Sequence, residues 1–380
     1  MGAALTILLS TLLAVNSGAL TLFALQIIRG ILGHQPVIPT THLALESDMP
    51  SVTVCIPARN EEHALAECLQ RIINSTYQKL EIIVLDDSSS DKTSLLIKSF
   101  AHAGVRFVRG STPPAEWLGK NYALKQLTKE ASGSYVLFID VDTRLTPDSI
   151  EHMMRTLLTN GGEMLSVLPR RSDGIRASVL WSPLKYYWEL VRSRQGSQAV
   201  SSNAWLIKRN RAAELFTTKE EILKSAALPE AAMAHELKED YLYTIGTKEL
   251  GVSYEKKWSS QRETSIRLLY PMLGSNVGRS TAACLGLAAL LVPYSLIIAL
   301  PWTGFTVLSG FAIILAAGFS LLYAFYARTF WNNGAIVAFF IWPLIVLQEI
   351  SLIIISLIQY KTNRVLWKGR PIRSTLRLYR

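Results

Sequence analysis

The chain has 380 residues, 49% of them hydrophobic and only 18% charged, with a mean hydropathy of +0.24. These values exclude a disordered or collagen-like chain and are too apolar for an ordinary soluble enzyme; Cys55, Cys68 and Cys284, without metal-ligand spacing, exclude a disulfide scaffold and read as reduced packing residues. The net charge of +10 sits beside apolar stretches and is not interleaved with stacking aromatics, so it is expected to orient the chain in a bilayer or to meet anionic lipids, with no nucleic acid as partner.

Residues 1–28 carry no charge, and Arg29 ends the run. About 20 apolar residues span a bilayer. A basic start and a clear small-residue cleavage site are both missing, so the stretch reads as an uncleaved anchor over 1–33 and not as a signal peptide. Residues 45–270 read as one α/β domain. Ser51–Ile56 predicts a strand closed by Pro57, and apolar spacing at Leu65, Leu69, Ile72 and Ile73 predicts a helix over 61–73. Glu81–Leu85 is apolar on both faces, as in a buried parallel strand. Asp91 caps a helix through Phe100. A short strand over 105–108, a helix over 119–130 and a strand over 135–139 follow. This alternation predicts a mostly parallel sheet, whose ligands bind beyond the carboxyl ends of the strands.

After Arg279 no charge returns until Arg328, and two helices are expected near 281–300 and 304–326. A third is expected over 335–358, with Glu349 as its only charge. The C-terminal membrane region is therefore 280–360, and 361–380 is a tail with seven basic residues and no acid. The positive-inside rule assigns that tail to the cytoplasm. Three crossings from a cytoplasmic middle domain would put it outside. One segment is therefore expected to be re-entrant or a half-span, with Pro293 or Trp342-Pro343 as the kink.

The expected strand ends are acidic. Asp86-Asp87-Ser88-Ser89-Ser90-Asp91 follows one, and Asp140-Val141-Asp142 follows another. Two carboxylates spaced by one residue suit a hard divalent cation, Mg²⁺ or Mn²⁺, which keeps substrate phosphates in its shell and neutralises charge on a departing diphosphate. His235-Glu236 lacks the second His that a zinc site would need.

These residues carry a resemblance. Ile56-Pro57-Ala58-Arg59-Asn60-Glu61-Glu62, then the acidic loop at Asp86, then Asp140-Val141-Asp142, resembles in order and spacing the family 2 glycosyltransferases of GT-A fold. Trp117-Leu118-Gly119-Lys120 and the tail Val365-Leu366-Trp367-Lys368-Gly369-Arg370-Pro371-Ile372 are similar to elements of a narrower membrane-bound group, the carotenoid (diaponeurosporenoate-type) and hopanoid-associated glycosyltransferases. The resemblance implies a GT-A domain, with an N-terminal transmembrane anchor and C-terminal transmembrane helices. It implies that Pro57, Arg59 and Glu61 belong to the donor site. Asp86 or Asp87 would contact base and ribose, Asp140 the nucleotide, and Asp142, with Asp140, the metal. It implies Asp240, in Lys238-Glu239-Asp240, as catalytic base, followed by a helix ending near Gly251 and a strand over 252–254. Lys120 and Arg267 are the expected diphosphate contacts. Inverting transfer needs one base and no covalent intermediate, and no Ser/His/Asp or Cys/His arrangement is seen.

Two departures matter. The usual glycine after the acidic pair is Ser88, and the Gln-x-x-Arg-Trp motif of processive synthases is not matched, since Arg262 follows Gln261 directly. Aromatics among basic residues over 181–194 suit a helix in the headgroup layer, or else a core helix. The expectation is a multi-pass protein of the bacterial cell membrane with a cytoplasmic catalytic domain. It would move sugar from a nucleotide-sugar donor, a UDP-sugar favoured, to a lipid acceptor, with carotenoid biosynthesis favoured. The alternatives are a processive polysaccharide synthase or exporter and a non-catalytic lipid-pathway scaffold.

Overall fold

The computed structural model describes residues 3–34, 49–114, 117–172, 178, 181, 182, 184, 187, 189, 190, 199–218, 220, 223, 228–304, 306–331 and 334–371. The chain divides into two compact units. An α/β unit comprises 34–172, 192–255 and 366–380, and a helical unit comprises 1–33, 173–191 and 256–365.

The α/β unit is built on a seven-stranded sheet in the order β3-β2-β1-β4-β8-β6-β9. Its strands are β1 Val52–Ala58, β2 Leu80–Asp86, β3 Val105–Arg109, β4 Tyr135–Ile139, β6 Met164–Leu168, β8 Ala204–Lys208 and β9 Tyr241–Ile245. All neighbours run parallel except β8, which is antiparallel to both β4 and β6. The pleat sends alternate residues to opposite faces. Val52, Val54 and Ile56 join Ile82, Val84 and Leu137 in one core, while Cys55 joins Ile83, Leu85, Val136 and Phe138 in the other. Both faces are covered, which is why β1, β2 and β4 read as continuous apolar runs. Across the second core Phe138 stacks on Trp205 with ring centroids 4.2 Å apart. A smaller sheet, in the order β5-β10-β7, joins β5 Thr143–Leu145, β7 Arg170–Arg171 and β10 Val252–Tyr254. The tail contributes a hairpin, β11 Leu366–Trp367 and β12 Arg370–Pro371.

Two sequence expectations are corrected. Pro57 does not close β1 but lies inside it, paired in register with Leu85. The register with β4 stops at Cys55, so at Pro57 the strand has a neighbour on one side only and a missing N–H costs no ladder bond there. The segment after Asp240 is not a helix. Its Tyr-Leu-Tyr-Thr-Ile run, rich in aromatic and β-branched residues, forms β9 along β6.

Among the described residues of the helical unit, three helices are long and apolar enough to cross a membrane: Ala3–Gly33, Val307–Phe330 and Ala335–Lys361. The helix expected near 281–300 is two helices, Val277–Ala289 and Val292–Thr303, bent by 44° next to Pro293. Small residues admit close packing: Gly30 lies against Leu190, and Gly318 against Leu20. Glu349 is 1% exposed and accepts the Leu184 backbone N–H at 3.3 Å, so the one acidic charge of its helix is spent inside the unit. Of the stretch 181–194, residues 183, 185, 186, 188 and 191–194 lie outside the described residues. Of the rest, Leu184, Tyr187 and Leu190 are buried, and Tyr187 donates to Gln26 and packs on Phe23 and Tyr326. These three side chains therefore serve packing, not a headgroup layer.

Candidate functional site

The carboxyl ends of β1, β2 and β4 lie side by side, and the loops after them are stitched together. Asp87 N–H donates to Ala58 O at 2.8 Å, and Arg59 donates through Nη1 to Asp87 O at 2.6 Å and to Ser88 O at 3.1 Å. Glu61 N–H donates to Thr93 Oγ1 at 2.8 Å, and Glu62 N–H to Asp91 Oδ2 at 3.2 Å. Asp91 also accepts Thr93 N–H at 3.0 Å, at the start of the helix Thr93–Ser99. The N-cap position itself is Lys92, so Asp91 does not cap the helix as expected but serves the loop and the first helical N–H from the residue before the cap.

Asp86 and Asp87 have different duties. Both are buried, at 5% and 4% exposure. Asp86 accepts Ser89 N–H at 3.1 Å and the Ser94 hydroxyl, so both its oxygens shape the loop. Asp87 instead accepts from Arg370, whose Nη1 lies 2.9 and 2.8 Å from the two carboxylate oxygens. Burial pushes the Asp87 carboxyl up from its ordinary value, against the opposing pull of Arg370 and Arg59.

Ser88 sits in the left-handed region, at φ 54°. The family-type glycine would adopt this without a Cβ penalty. Ser88→Gly is therefore expected to stabilise the α/β unit by about 1 kcal/mol, read as a raised unfolding midpoint. An unchanged or lower midpoint would count against strain at this loop.

The Asp140–Asp142 turn is equally built. Thr143 N–H donates to Asp140 O at 2.9 Å, and buried Arg144 donates to Val141 O at 2.8 Å. Lys120, in the first turn of the helix Gly119–Glu130, pairs with Asp140 Oδ1 at 2.5 Å. Trp117, just before that helix, is 8% exposed and lies under Lys125 Nζ at 4.9 Å from the ring centroid, so the Trp-x-Gly-Lys element anchors the helix start that carries Lys120. Burial pushes the Cys68 thiol up to about 12; Arg144 opposes the shift, while the carboxylates of Asp142, Glu61 and Asp140 add to it.

Arg59, Glu61, Asp86, Asp87, Lys120, Asp140 and Asp142 therefore converge, with Pro57 in the strand beneath them. Asp240 does not join them. Asp240 precedes β9, where its carbonyl accepts Glu163 N–H at 2.8 Å. The registers through β8 and β6 put it level with Tyr135, at the start of β4. Asp140 follows the end of β4, about 16 Å further along the strands at 3.3 Å per residue. Asp240 is thus at the opposite edge of the sheet, because the segment after it is a strand and not the expected helix. Arg267 lies on the helix Trp258–Met272 of the helical unit, where its carbonyl accepts the Tyr360 hydroxyl at 2.7 Å.

Sequence reasoning missed two features. Glu255 directly follows β10, its N–H donating to Asp142 O at 3.0 Å and its carboxylate accepting from Ser172 Oγ at 3.3 Å. No motif marks it. Arg370 and Lys368 lie in a tail motif whose Lys368-Gly369 turn is not one of the usual two-residue hairpin signals, so the sequence does not mark them as site residues.

Acidic turns and basic side chains at the carboxyl ends of a mostly parallel sheet define a site of the phosphorylated-ligand class. Residues 53–208, from β1 to the end of β8, match the family model described as Glycosyl transferase family 2. A 4,4'-diaponeurosporenoate glycosyltransferase of Staphylococcus aureus is 32% identical over 121 residues, which are 31% of this chain and 32% of that one. The probable glycosyltransferase YdaM of Bacillus subtilis is 35% identical over 107 residues, 27% of this chain and 25% of that one. The chain thus spans about a third or less of the length of these curated relatives. The mannosyltransferase PcManGT from Pyrobaculum calidifontis, solved in complex with GDP-Man and Mn²⁺, superposes with a TM-score of 0.53 at 17% identity, covering 92% of this chain and 97% of that one. The likeness shows a shared GT-A fold.

Proposed function

We propose that the protein is a membrane-bound, metal-dependent, inverting glycosyltransferase that moves a sugar from a nucleotide-sugar donor, a UDP-sugar favoured, to a lipid acceptor of the carotenoid or other isoprenoid type. The observation that carries this reading is the convergence of Asp87, Lys120, Asp140 and Asp142 on one edge of the sheet, within the segment that matches the family 2 model. The donor set suits a hard cation. Asp140 and Asp142 offer carboxylate oxygens on a rigid turn, and Asp140 already holds a cation, the Lys120 ammonium. Asp142 and Asp140 would hold Mg²⁺ or Mn²⁺, which when bound supplies neutralising charge for the departing diphosphate.

In the transfer, the acceptor oxygen forms a bond to C1 opposite the leaving group while the C1–O bond to the diphosphate breaks. The proton of the acceptor hydroxyl passes to a carboxylate. Because Asp240 lies at the other edge of the sheet, we assign that role to Glu255, which neighbours Asp142 through the backbone bond. Lys120 would exchange its carboxylate partner for the diphosphate.

The lipid acceptor is supported by the name of the staphylococcal relative. Gln261, the residue nearest to a processive-synthase motif, spends its amide on Ser178 O, Lys256 O and Ser182 Oγ, which favours a single transfer.

The tail hairpin belongs to the same unit as the catalytic sheet, so both occupy one side of the bilayer. Its basic composition favours the cytoplasm. The crossings between Glu255 and Leu366 must then be even in number. Of the bent pair and the two long helices in that interval, one does not cross.

The test uses sealed membrane vesicles of each orientation, supplied with Mn²⁺ and radiolabelled nucleotide sugars. Label should enter the lipid phase when donor is given to the cytoplasmic face, and EDTA should abolish it once the vesicles are permeabilised. Label that stays water-soluble, or transfer unaffected by EDTA, would overturn the reading.

A further inference from the structure

The tail after the last membrane helix ends, among the described residues, in a hairpin seated on the donor loops. Its two-residue turn is Lys368-Gly369, with φ of 45° and 78°. A turn of this kind needs positive φ at both positions and favours Asn, Asp or Gly at the first. A lysine there is strained, and such strain persists only where the surroundings hold it. Strands of two residues cannot supply that hold by themselves. Side chains of the donor loops do. Lys368 Nζ donates to Arg59 O at 2.8 Å and pairs with Glu61, and Lys368 O accepts Arg59 Nε at 3.3 Å. Arg370 binds both oxygens of Asp87.

The network also fixes Arg59. Its Nη1 is taken by Asp87 O and Ser88 O and its Nε by the hairpin, and among the described residues it has no carboxylate within ion-pair distance. Burial, and then the neighbouring Arg370 charge, push its guanidinium down from its ordinary value. Three cations, Arg59, Lys368 and Arg370, thus meet three carboxylates, Glu61, Asp86 and Asp87, at the strand ends.

We propose that the hairpin Leu366–Pro371 is a working part of the donor site, in which Arg370 and Lys368 are positioning residues that hold Asp87, Glu61 and Arg59 in place for a nucleoside diphosphate. The inference rests on the glycosyltransferase reading and adds to it that donor binding depends on chain beyond the last membrane helix. Arg370 orients the Asp87 carboxylate, and the Lys368 carbonyl aims the Arg59 guanidinium.

The test is calorimetric titration of UDP and of GDP, with Mn²⁺, into the full-length protein in detergent. Wild type should bind at least one of them. Arg370→Ala should weaken that binding by about tenfold or more, the loss expected for one charge-assisted hydrogen-bonded pair. Arg370→Lys, which keeps the charge but not the second terminal nitrogen, should recover part of it. In turnover, Arg370→Ala should raise the donor KM and leave kcat nearly unchanged, whereas a merely destabilised protein would lose kcat at constant KM. Lys368→Ala should act in the same direction, which keeps the test open if Arg370→Ala folds poorly. Unaltered affinity in both alanine variants would make the hairpin a bystander, and tighter binding would make it a plug; either overturns the proposal while leaving the glycosyltransferase reading intact. Failure of the wild type to bind either nucleotide, with Mn²⁺ present, would bring down the donor-site reading itself and this inference with it.

Discussion

Asp142→Ala is expected to reduce sugar transfer by at least about 100-fold, because it removes a ligand of the ion that offsets several kcal/mol of transition-state charge. The fold should survive. The Asp142 side chain is half-buried, and its turn is held by backbone bonds that the substitution does not touch: Thr143 N–H to Asp140 O at 2.9 Å and Glu255 N–H to Asp142 O at 3.0 Å. The unfolding free energy should therefore shift by no more than about 0.5 kcal/mol. Raising Mn²⁺ should restore part of the transfer, since Asp140 remains. Transfer within a few-fold of wild type, at unchanged stability, would remove the metal from the mechanism and favour a scaffold or a metal-independent enzyme.

The second large effect separates two carboxylates. Glu255→Gln is expected to lower kcat by about 100- to 10,000-fold, the range for loss of a general base, and Asp240→Asn is expected to leave it within a few-fold. Glutamine preserves the size of Glu255 and the backbone bond to Asp142, so the loss reports the proton acceptor and not the turn. A pH–rate profile sharpens the test: the acidic limb belonging to the base should vanish in Glu255→Gln and persist in Asp240→Asn. The reverse pattern would return the base to Asp240 and require the segment after it to leave its pairing with β6.

Much of the fold was legible because its cause is local. The apolar runs at Val52–Ile56, Glu81–Leu85 and Tyr135–Ile139 could be buried only as inner strands, and the helix over 119–130 and the strand over 252–254 form where expected. The acidic loops announced the site because residues that follow inner strands meet at one sheet edge. What could not be read is equally specific. The family resemblance implies a helix at Tyr241–Ile245, yet its composition suits a strand and β6 offers an open edge. Glu255 carries no motif, and only the pairing of β10 with β5 brings it beside Asp142. Arg370 lies 283 residues from Asp87 along the chain, and local spacing says nothing about such a pair.

The sequence by itself determined the apolar helices, the inner strands and the chemistry of the strand-end loops, because burial, pleat alternation and the need of a divalent cation for oxygen donors act over a few residues. Tertiary structure alone decided which carboxylates share an edge, that Asp240 does not, and that the basic tail turns back onto the loop of Asp87. Those outcomes depend on strand order and register and on ion pairs between distant segments, where the free energy of the pair is gained only after the whole sheet has formed.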